Sequence, residues 1–330
     1  MSTILLSDSD VEVLFGGNWP AAIGVVESAL LENHSGKTIF PEKISQIFDE
    51  KTQNRINCMP ATLIDKGVSG VKWVSVFPEN PKSGVKNVNG IMLLSEIGRG
   101  LPLAVMGAGT LTSLRTAAVG ATAAKHLAPA HVGKIAFIGA GAEARRHFSA
   151  LTALFPEVNV CAVSARGDSS AKEFARWARG LNGGVAVEEC GNDFERAVSD
   201  ADIIVTATSA QAPLLKSAWV KPGSLYIHVG GWKDEYAVAQ NADLIVCDDW
   251  NAVKHRGSQT LSRAFKAGCL DEGRVRLLQE CLLPDGLERH DGETVYFNSV
   301  GLSFIDVAFA NYFYAKARNA GGSECFDFCR

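Results

Sequence analysis

Long apolar runs are missing from this 330-residue chain. No stretch reaches the roughly 18 to 20 residues that a membrane-spanning helix needs, so that architecture is excluded. Runs of one charge are missing as well: Lys plus Arg number 32 and Asp plus Glu 36, a formal net charge of −4. Without a basic stretch to follow a phosphate backbone, a nucleic-acid partner is not expected. The eight cysteines include no CxxC pair and are scattered, several of them in strand-like apolar runs, which reads as buried reduced thiols. The seven histidines do not group either. His126 and His131 stand five apart, His255 and His290 stand alone, and no HExxH or CxxC-plus-His set exists, so no metal site is expected. The first residues, MSTILLSDSDVEVLF, carry acids where a signal peptide carries bases, and the expected location is the cytoplasm.

What is present is the material for a folded enzyme-sized protein, 47% hydrophobic and 21% charged, with a length that suggests two domains. From Lys134 onward the pattern is regular. KIAFI (134–138) is a short β-rich run, GAGAEA follows, and then a helix in which Ala144, Phe148, Leu151 and Phe155 repeat at helical spacing. Further short strands are expected at 158–163, 185–188, 203–206, 225–229 and 244–247, separated by helix or turn signals. Alternation of this kind specifies a parallel sheet covered on both faces. Before Ala130 the expected strands, 70–76, 90–95 and 103–106, join directly, and one long helix runs from about 110 to 126. That is a mixed α+β unit. A further helix is expected over 303–318.

GAGAEA at 139–144 fits the dinucleotide fingerprint in its required context, after a strand and opening a helix. Gly139 suits the tight turn, Gly141 lets backbone N–H groups approach a pyrophosphate, and Ala144 permits close helix packing. The ribose-reading position at the end of the second strand reads Val163-Ser164-Ala165-Arg166 where an acid is usual. Ser164 and Arg166 suit a 2′-phosphate, which leans the cofactor towards NADP, although Asp168 lies near enough to read a diol in NAD.

Two charges stand in apolar surroundings, Lys72 in VSGVKWVSVF and Arg115 in GTLTSLRTAAVGATAA. Buried charges are paired. Either an acid in the core satisfies both, or they form a cationic pocket for a substrate carboxylate, Arg115 as a bidentate clamp and Lys72 as a point charge.

At these residues the chain resembles the ornithine cyclodeaminase/μ-crystallin family. The matching features are Met59-Pro60, Lys72, Arg99-Gly100-Leu101-Pro102, LRTAA (114–118), GAGAEA, TATSA (206–210), and Asn298-Ser299-Val300-Gly301 followed by Asp306. The resemblance implies an α/β fold in which a Rossmann-type doubly wound parallel sheet (126–298) is inserted in a mixed α+β dimerisation and substrate domain (1–125), to which a C-terminal helix (299–330) returns. It also implies a homodimer and a substrate site in the interdomain cleft, with Lys72, Arg115 and Ser299 at carboxylate-holding positions. The cofactor contacts it implies are Gly139, Gly141, Ala142, Glu143, Ala144, Thr206, Thr208, Ser209 and Gly230.

The family's cyclodeaminases carry an acid just after the glycines of a GGDCPGKTE-like segment; here the segment reads VGGWKDE, with Trp232 in that place and Asp234 two residues on. A narrower resemblance lies in NRINCMPA (54–61), KWVSVFPENPKSG (72–84) and CDDWNAVKHRG (247–257), which look like the siderophore-pathway branch of N-(2-amino-2-carboxyethyl)-L-glutamate dehydrogenases. That branch implies oxidation of a secondary amine to an imine, hydrolysed to 2-oxoglutarate and 2,3-diaminopropionate, with Lys43 and Arg55 as further cations for a substrate of several carboxylates. Arg115 and Lys72 would hold the α-carboxylate, and Asp234, Glu235 or Lys72 would handle the amine proton. The rival readings are a cyclodeaminase or cyclic-imine reductase, and a non-enzymatic module that holds NADPH and small ligands.

Overall fold

The computed structural model describes residues 2–49 and 51–329. The chain divides into two compact units, one made of residues up to 115 together with those from 301 on, the other of residues 116–300.

The first unit is built on an eight-stranded mixed sheet. Its strands are β1 (Thr3–Leu6), β2 (Thr38–Ile39), β3 (Ile44–Asp49), β4 (Asn54–Leu63), β5 (Val68–Val76), β6 (Val88–Glu96), β7 (Pro102–Gly107) and a last short strand at Cys325–Phe326. From β4 to β7 neighbours are antiparallel and follow chain order, as direct connections require. β1 alone joins in parallel, beside β7. Two helices, α1 (Asp8–Phe15) and α2 (Trp19–His34), follow β1; α1 opens on a capping box between Ser7 and Asp10 and stops at Gly16, whose φ of 59° suits glycine.

Alternation gives this sheet two unlike faces. On the inner one, Met59, Lys72, Met92 and Met106 lie opposite one another on β4, β5, β6 and β7, all buried. The C-terminal helix Ser303–Ala320 packs on β4, β5 and α2, and apolar residues all round it, among them Phe304, Ile305, Val307, Phe309 and Phe313, are buried. On the outer face the register aligns Ile44, Cys58, Trp73 and Ile91 in one row. Trp73 is 40% exposed, Ile91 46% and Ile44 61%.

The long helix α3 (Ala108–Leu127) begins in the first unit and continues into the second, where its small residues Ala117, Ala118, Ala121, Ala123 and Ala124 are buried. The second unit holds a parallel eight-stranded sheet. Its strands are β8 (Lys134–Ile138), β9 (Val160–Ser164), β10 (Ala186–Glu189), β11 (Ile203–Ala207), β12 (Leu225–Val229), β13 (Leu244–Cys247), β14 (Val275–Leu277) and β15 (Val295–Ser299), in the spatial order β10-β9-β8-β11-β12-β15-β13-β14. The chain runs outward from β8 in one direction through β9 and β10, then returns to place β11 and β12 on its other side. The carboxyl ends of β8 and β11 therefore flank a topological switch point, where open α/β sheets bind ligands. Helices α4 (Ala142–Leu154) and α5 (Asp168–Leu181) pack through a cluster of Phe137, Phe148, Phe174 and Trp177. Among the described residues no helix is long and apolar enough to cross a membrane.

Candidate active site

In the first unit the inward phase of β5 turns Lys72 under the sheet, where it is 1% exposed. Its Nζ donates to Asp306 Oδ1 at 2.7 Å, and Arg115 Nε donates to the same oxygen at 2.8 Å. Asp306 comes from the first turn of the C-terminal helix and is itself fully buried. The two charges singled out in the sequence are thus brought together, on an acid the sequence matched without assigning it a role. The other Asp306 oxygen, Oδ2, is buried without a hydrogen-bond partner. Against the Arg115 guanidinium lies Gly301, at φ 79°; a Cβ there would stand 2.7 Å from Nη1.

Alternation places Arg55, Asn57 and Met59 on the same sheet face as Lys72, with Ile47 and Ser45 opposite Arg55 and Asn57. Arg55 is partly buried and donates to the Gln53 carbonyl at 3.0 Å. Burial lowers its pKa, and among the described residues it makes no ion pair. Lys43, also partly buried, immediately precedes β3.

In the second unit, Gly139 leaves β8 with φ 115°, and a Cβ there would lie 2.3 Å from the Ala207 carbonyl at the end of β11. The fold itself requires that glycine. Gly141 differs: it is the N-cap of α4, has no side-chain cap, and a Cβ on it would meet nothing within 4 Å. The protein leaves open the space that a side chain at 141 would fill, beside the uncapped N–H groups of a 13-residue helix. Ala142 and Glu143 form the first turn, and Ala144 is buried. These residues fit a dinucleotide pyrophosphate. Thr208, Ser209 and Gly230 stand after β11 and β12, on the same edge of the sheet.

Four of the expected contact residues have side chains engaged within the chain. Ser164, the last residue of β9, is buried and its hydroxyl donates to the Phe137 carbonyl, which leaves the exposed Arg166 and Asp168 beyond the strand. Thr206 is likewise turned inside, sharing a hydrogen bond of 2.8 Å with the Tyr226 hydroxyl. Ser299 Oγ donates to Asp248 Oδ2 at 3.2 Å, and the Val300 N–H donates to the same carboxylate at 2.9 Å. Asp234 is sealed: Thr260 Oγ1 and Tyr226 Oη donate to its Oδ1 at 2.7 and 3.2 Å, and it has no exposure. Burial pushes its pKa up to about 7, against the hydrogen bonds from Thr260 and Tyr226. Trp232, where the cyclodeaminase acid would stand, has the Arg263 guanidinium 4.2 Å from its ring centre.

The sequence assigned no role to Asp306, Gly301 or Lys233, although the first two stand among the matched features. Lys233 is 1% exposed, with its Nζ on the Ala210 carbonyl, and burial brings its pKa down to about 8. Its own carbonyl accepts from the Leu214 and Leu215 N–H groups, which ties the loops after β11 and β12 together. A charged residue beside Gly230-Gly231 was the available signal.

A parallel sheet of this order with a glycine turn at its switch point defines a dinucleotide-binding class of protein. The ornithine cyclodeaminase/mu-crystallin family pattern matches residues 1–321, and the chain belongs to that family. It is 33% identical to an alanine dehydrogenase of Archaeoglobus fulgidus over 99% of each chain. With an N-((2S)-2-amino-2-carboxyethyl)-L-glutamate dehydrogenase of Staphylococcus aureus it shares 24% identity, over 96% of this chain and 95% of that one. Among solved structures, a Thermococcus litoralis Delta(1)-pyrroline-2-carboxylate reductase in complex with NADH and L-proline superposes with a TM-score of 0.91 at 29% identity, covering 98% and 99% of the two chains. An archaeal alanine dehydrogenase dimer with bound NAD gives 0.90 at 29%, covering 99% and 100%.

Two outcomes are expected. Gly141→Val will melt like the wild type yet lose NAD(P)H binding by fluorescence titration, whereas Gly139→Val will fail to fold stably because its Cβ meets backbone; a Gly141→Val protein with unchanged affinity contradicts the assignment. For Asp234 the sign follows from its raised pKa: between about 3.8, the ordinary value, and about 7, the folded protein keeps a proton that the unfolded chain has released. The contribution of Asp234 to stability is full below that window and is lost as pH rises through it. Asp234→Asn should stay folded and, in denaturant titrations from pH 4 to 8, lose that part of the slope; identical pH profiles refute the sealed, protonated carboxyl.

Proposed function

We propose that this chain is an NAD(P)-dependent oxidoreductase of the Cα–N bond of an N-substituted amino acid, with N-(2-amino-2-carboxyethyl)-L-glutamate as its substrate. The observation that carries the reading is the meeting of Lys72 and Arg115 on Asp306, on a sheet face shared with Arg55. A carboxylate-rich substrate needs such a set of cations. Lys72 and Arg115 hold the α-carboxylate, and Lys43 and Arg55 meet the carboxylates further along. The 24% identical Staphylococcus aureus relative, named for this substrate, supports the choice.

In the reaction the substrate loses a hydride from the glutamate Cα and a proton from its nitrogen, and a C=N bond forms. Water then adds to that bond and cleaves it, giving 2-oxoglutarate and 2,3-diaminopropionate. A bound nicotinamide supplies the hydride acceptor. The chain's own part is orientation and charge: Arg115 presents a planar fork and Lys72, bonded to Asp306, a point charge, while the amine proton leaves to water. Asp234 is closed off from accepting that proton, and Glu235 is engaged through Oε2 with the Ser217 N–H.

Gly139, Gly141, Ala142, Glu143 and Ala144 hold the pyrophosphate end, with Thr208, Ser209 and Gly230 on the same sheet edge. Arg166, exposed just past β9, reads a ribose 2′-phosphate and favours NADP. The outer row of Ile44, Cys58, Trp73 and Ile91 is a contiguous apolar strip of the kind a second subunit covers, which supports a homodimer. The chain works in the cytoplasm.

Arg115→Lys keeps the charge and loses the fork, so kcat/KM for amine oxidation should fall by about two orders of magnitude or more, from the usual cost of misplaced reactants. Absorbance of reduced cofactor and free ammonia are followed separately with N-(2-amino-2-carboxyethyl)-L-glutamate, L-alanine and L-ornithine. Ammonia from ornithine without net cofactor reduction would favour a cyclodeaminase, and no turnover with any of them a binding module. Arg166→Ala should weaken NADPH far more than NADH; equal losses would assign the ribose to Asp168.

A further inference from the structure

The Lys72–Asp306–Arg115 cluster is joined in an unusual way. Both cations bond one oxygen, Oδ1, at 2.7 and 2.8 Å, while Oδ2 is buried with no partner. Stability alone favours spreading two donors over the lone pairs of both oxygens, because a buried unsatisfied acceptor is costly. What the single-oxygen junction achieves is directional. With Nε bonded to Asp306, the terminal Nη1 and Nη2 of Arg115 are turned the other way, towards Gly301. There the chain supplies a residue with no side chain: Cβ at 301 would lie 2.7 Å from Nη1 and 3.2 Å from Nη2, and φ is 79°. Asp306 stands five residues after Gly301, so one short segment both pins the guanidinium by its Nε and clears the space beside its terminal nitrogens.

We propose that Asp306 and Gly301 are the positioning residues of the carboxylate clamp: Asp306 sets the orientation of Arg115 and Lys72, and Gly301 keeps the terminal guanidinium edge open to a substrate carboxylate. This rests on the reading that Arg115 and Lys72 bind the substrate carboxylate. Neither Asp306 nor Gly301 touches the reacting atoms in this account; they act through the two cations.

The test uses the full-length protein saturated with cofactor. Asp306→Asn keeps size and an acceptor oxygen but removes the charge; Asp306→Glu restores the charge with one more methylene. Gly301→Ala leaves the ion pairs in place and crowds the fork, and it decides the matter if Asp306→Asn fails to fold. Steady-state kinetics with N-(2-amino-2-carboxyethyl)-L-glutamate and calorimetric titration with 2-oxoglutarate are run beside NAD(P)H affinity. Gly301→Ala and Asp306→Asn are expected to raise KM and the 2-oxoglutarate Kd at least tenfold, with cofactor affinity unchanged, and Asp306→Glu to recover part of the loss. A purely structural role would lower melting temperature without that split. Wild-type KM and Kd in folded Gly301→Ala overturn the positioning role. If Arg115→Met also binds 2-oxoglutarate normally, or the wild type binds no carboxylate, the clamp reading falls and takes this inference with it. Loss in Arg115→Met alone sinks only the inference.

Discussion

A buried charge must meet an opposite charge, and in the first unit that constraint is discharged at one carboxylate oxygen. Lys72 cannot turn outward, because the alternation of β5 that buries Val74 also buries position 72. Three methionines flank it along the register, so its ammonium has an apolar wall on the sheet side and finds its acceptor on the C-terminal helix. Arg115 reaches the same oxygen from α3. Removing one partner of such a set typically costs about 3 to 5 kcal/mol, so the sheet, α3 and the returning helix are locked together by residues that also serve the proposed chemistry.

The second unit solves a different problem, the approach of an anion to a backbone. Only a left-handed residue without a Cβ passes between β8 and the Ala207 carbonyl, and Gly139 does so. Once the chain has made that turn, α4 begins at the carboxyl end of the sheet with no side-chain cap and nothing within 4 Å of where a Cβ on Gly141 would stand. Cofactor binding of this kind needs little from side chains, which is why several polar side chains nearby are engaged internally. Thr206, Tyr226, Thr260 and Asp234 form a chain of hydrogen bonds inside the unit, and Lys233 fastens two of its loops.

Periodicity made much of this legible. The strands at 134–138, 225–229 and 244–247 stand where the sequence placed them, and the helix from 303 runs two residues further than expected. The odd charges in apolar runs led to Lys72 and Arg115. Their partner was not readable, because Asp306 lies 234 and 191 residues away and an acid in a helix start is commonplace. The inward turn of the Ser164 and Thr206 hydroxyls was not legible, because in a sheet covered on both faces alternation does not say which side a polar residue at a strand end will take. Asp234 looked available because it follows glycines, yet the loop folds it back under Thr260. Among the described residues, the region before residue 70 holds two helices and four further strands outside the expected set, although Ser7 and Asp10 spell a capping box.

The central claim is that hydride leaves the substrate Cα while Arg115 and Lys72 hold the adjoining carboxylate. Its most direct measurement is isotopic. N-(2-amino-2-carboxyethyl)-L-glutamate deuterated at the glutamate Cα is turned over with oxidised cofactor, and the reduced cofactor is isolated and its mass determined. Deuterium carried into the cofactor, one atom per 2-oxoglutarate formed, is the result this account predicts. Deuterium kept in the product or lost to water, with no net reduced cofactor, would contradict it.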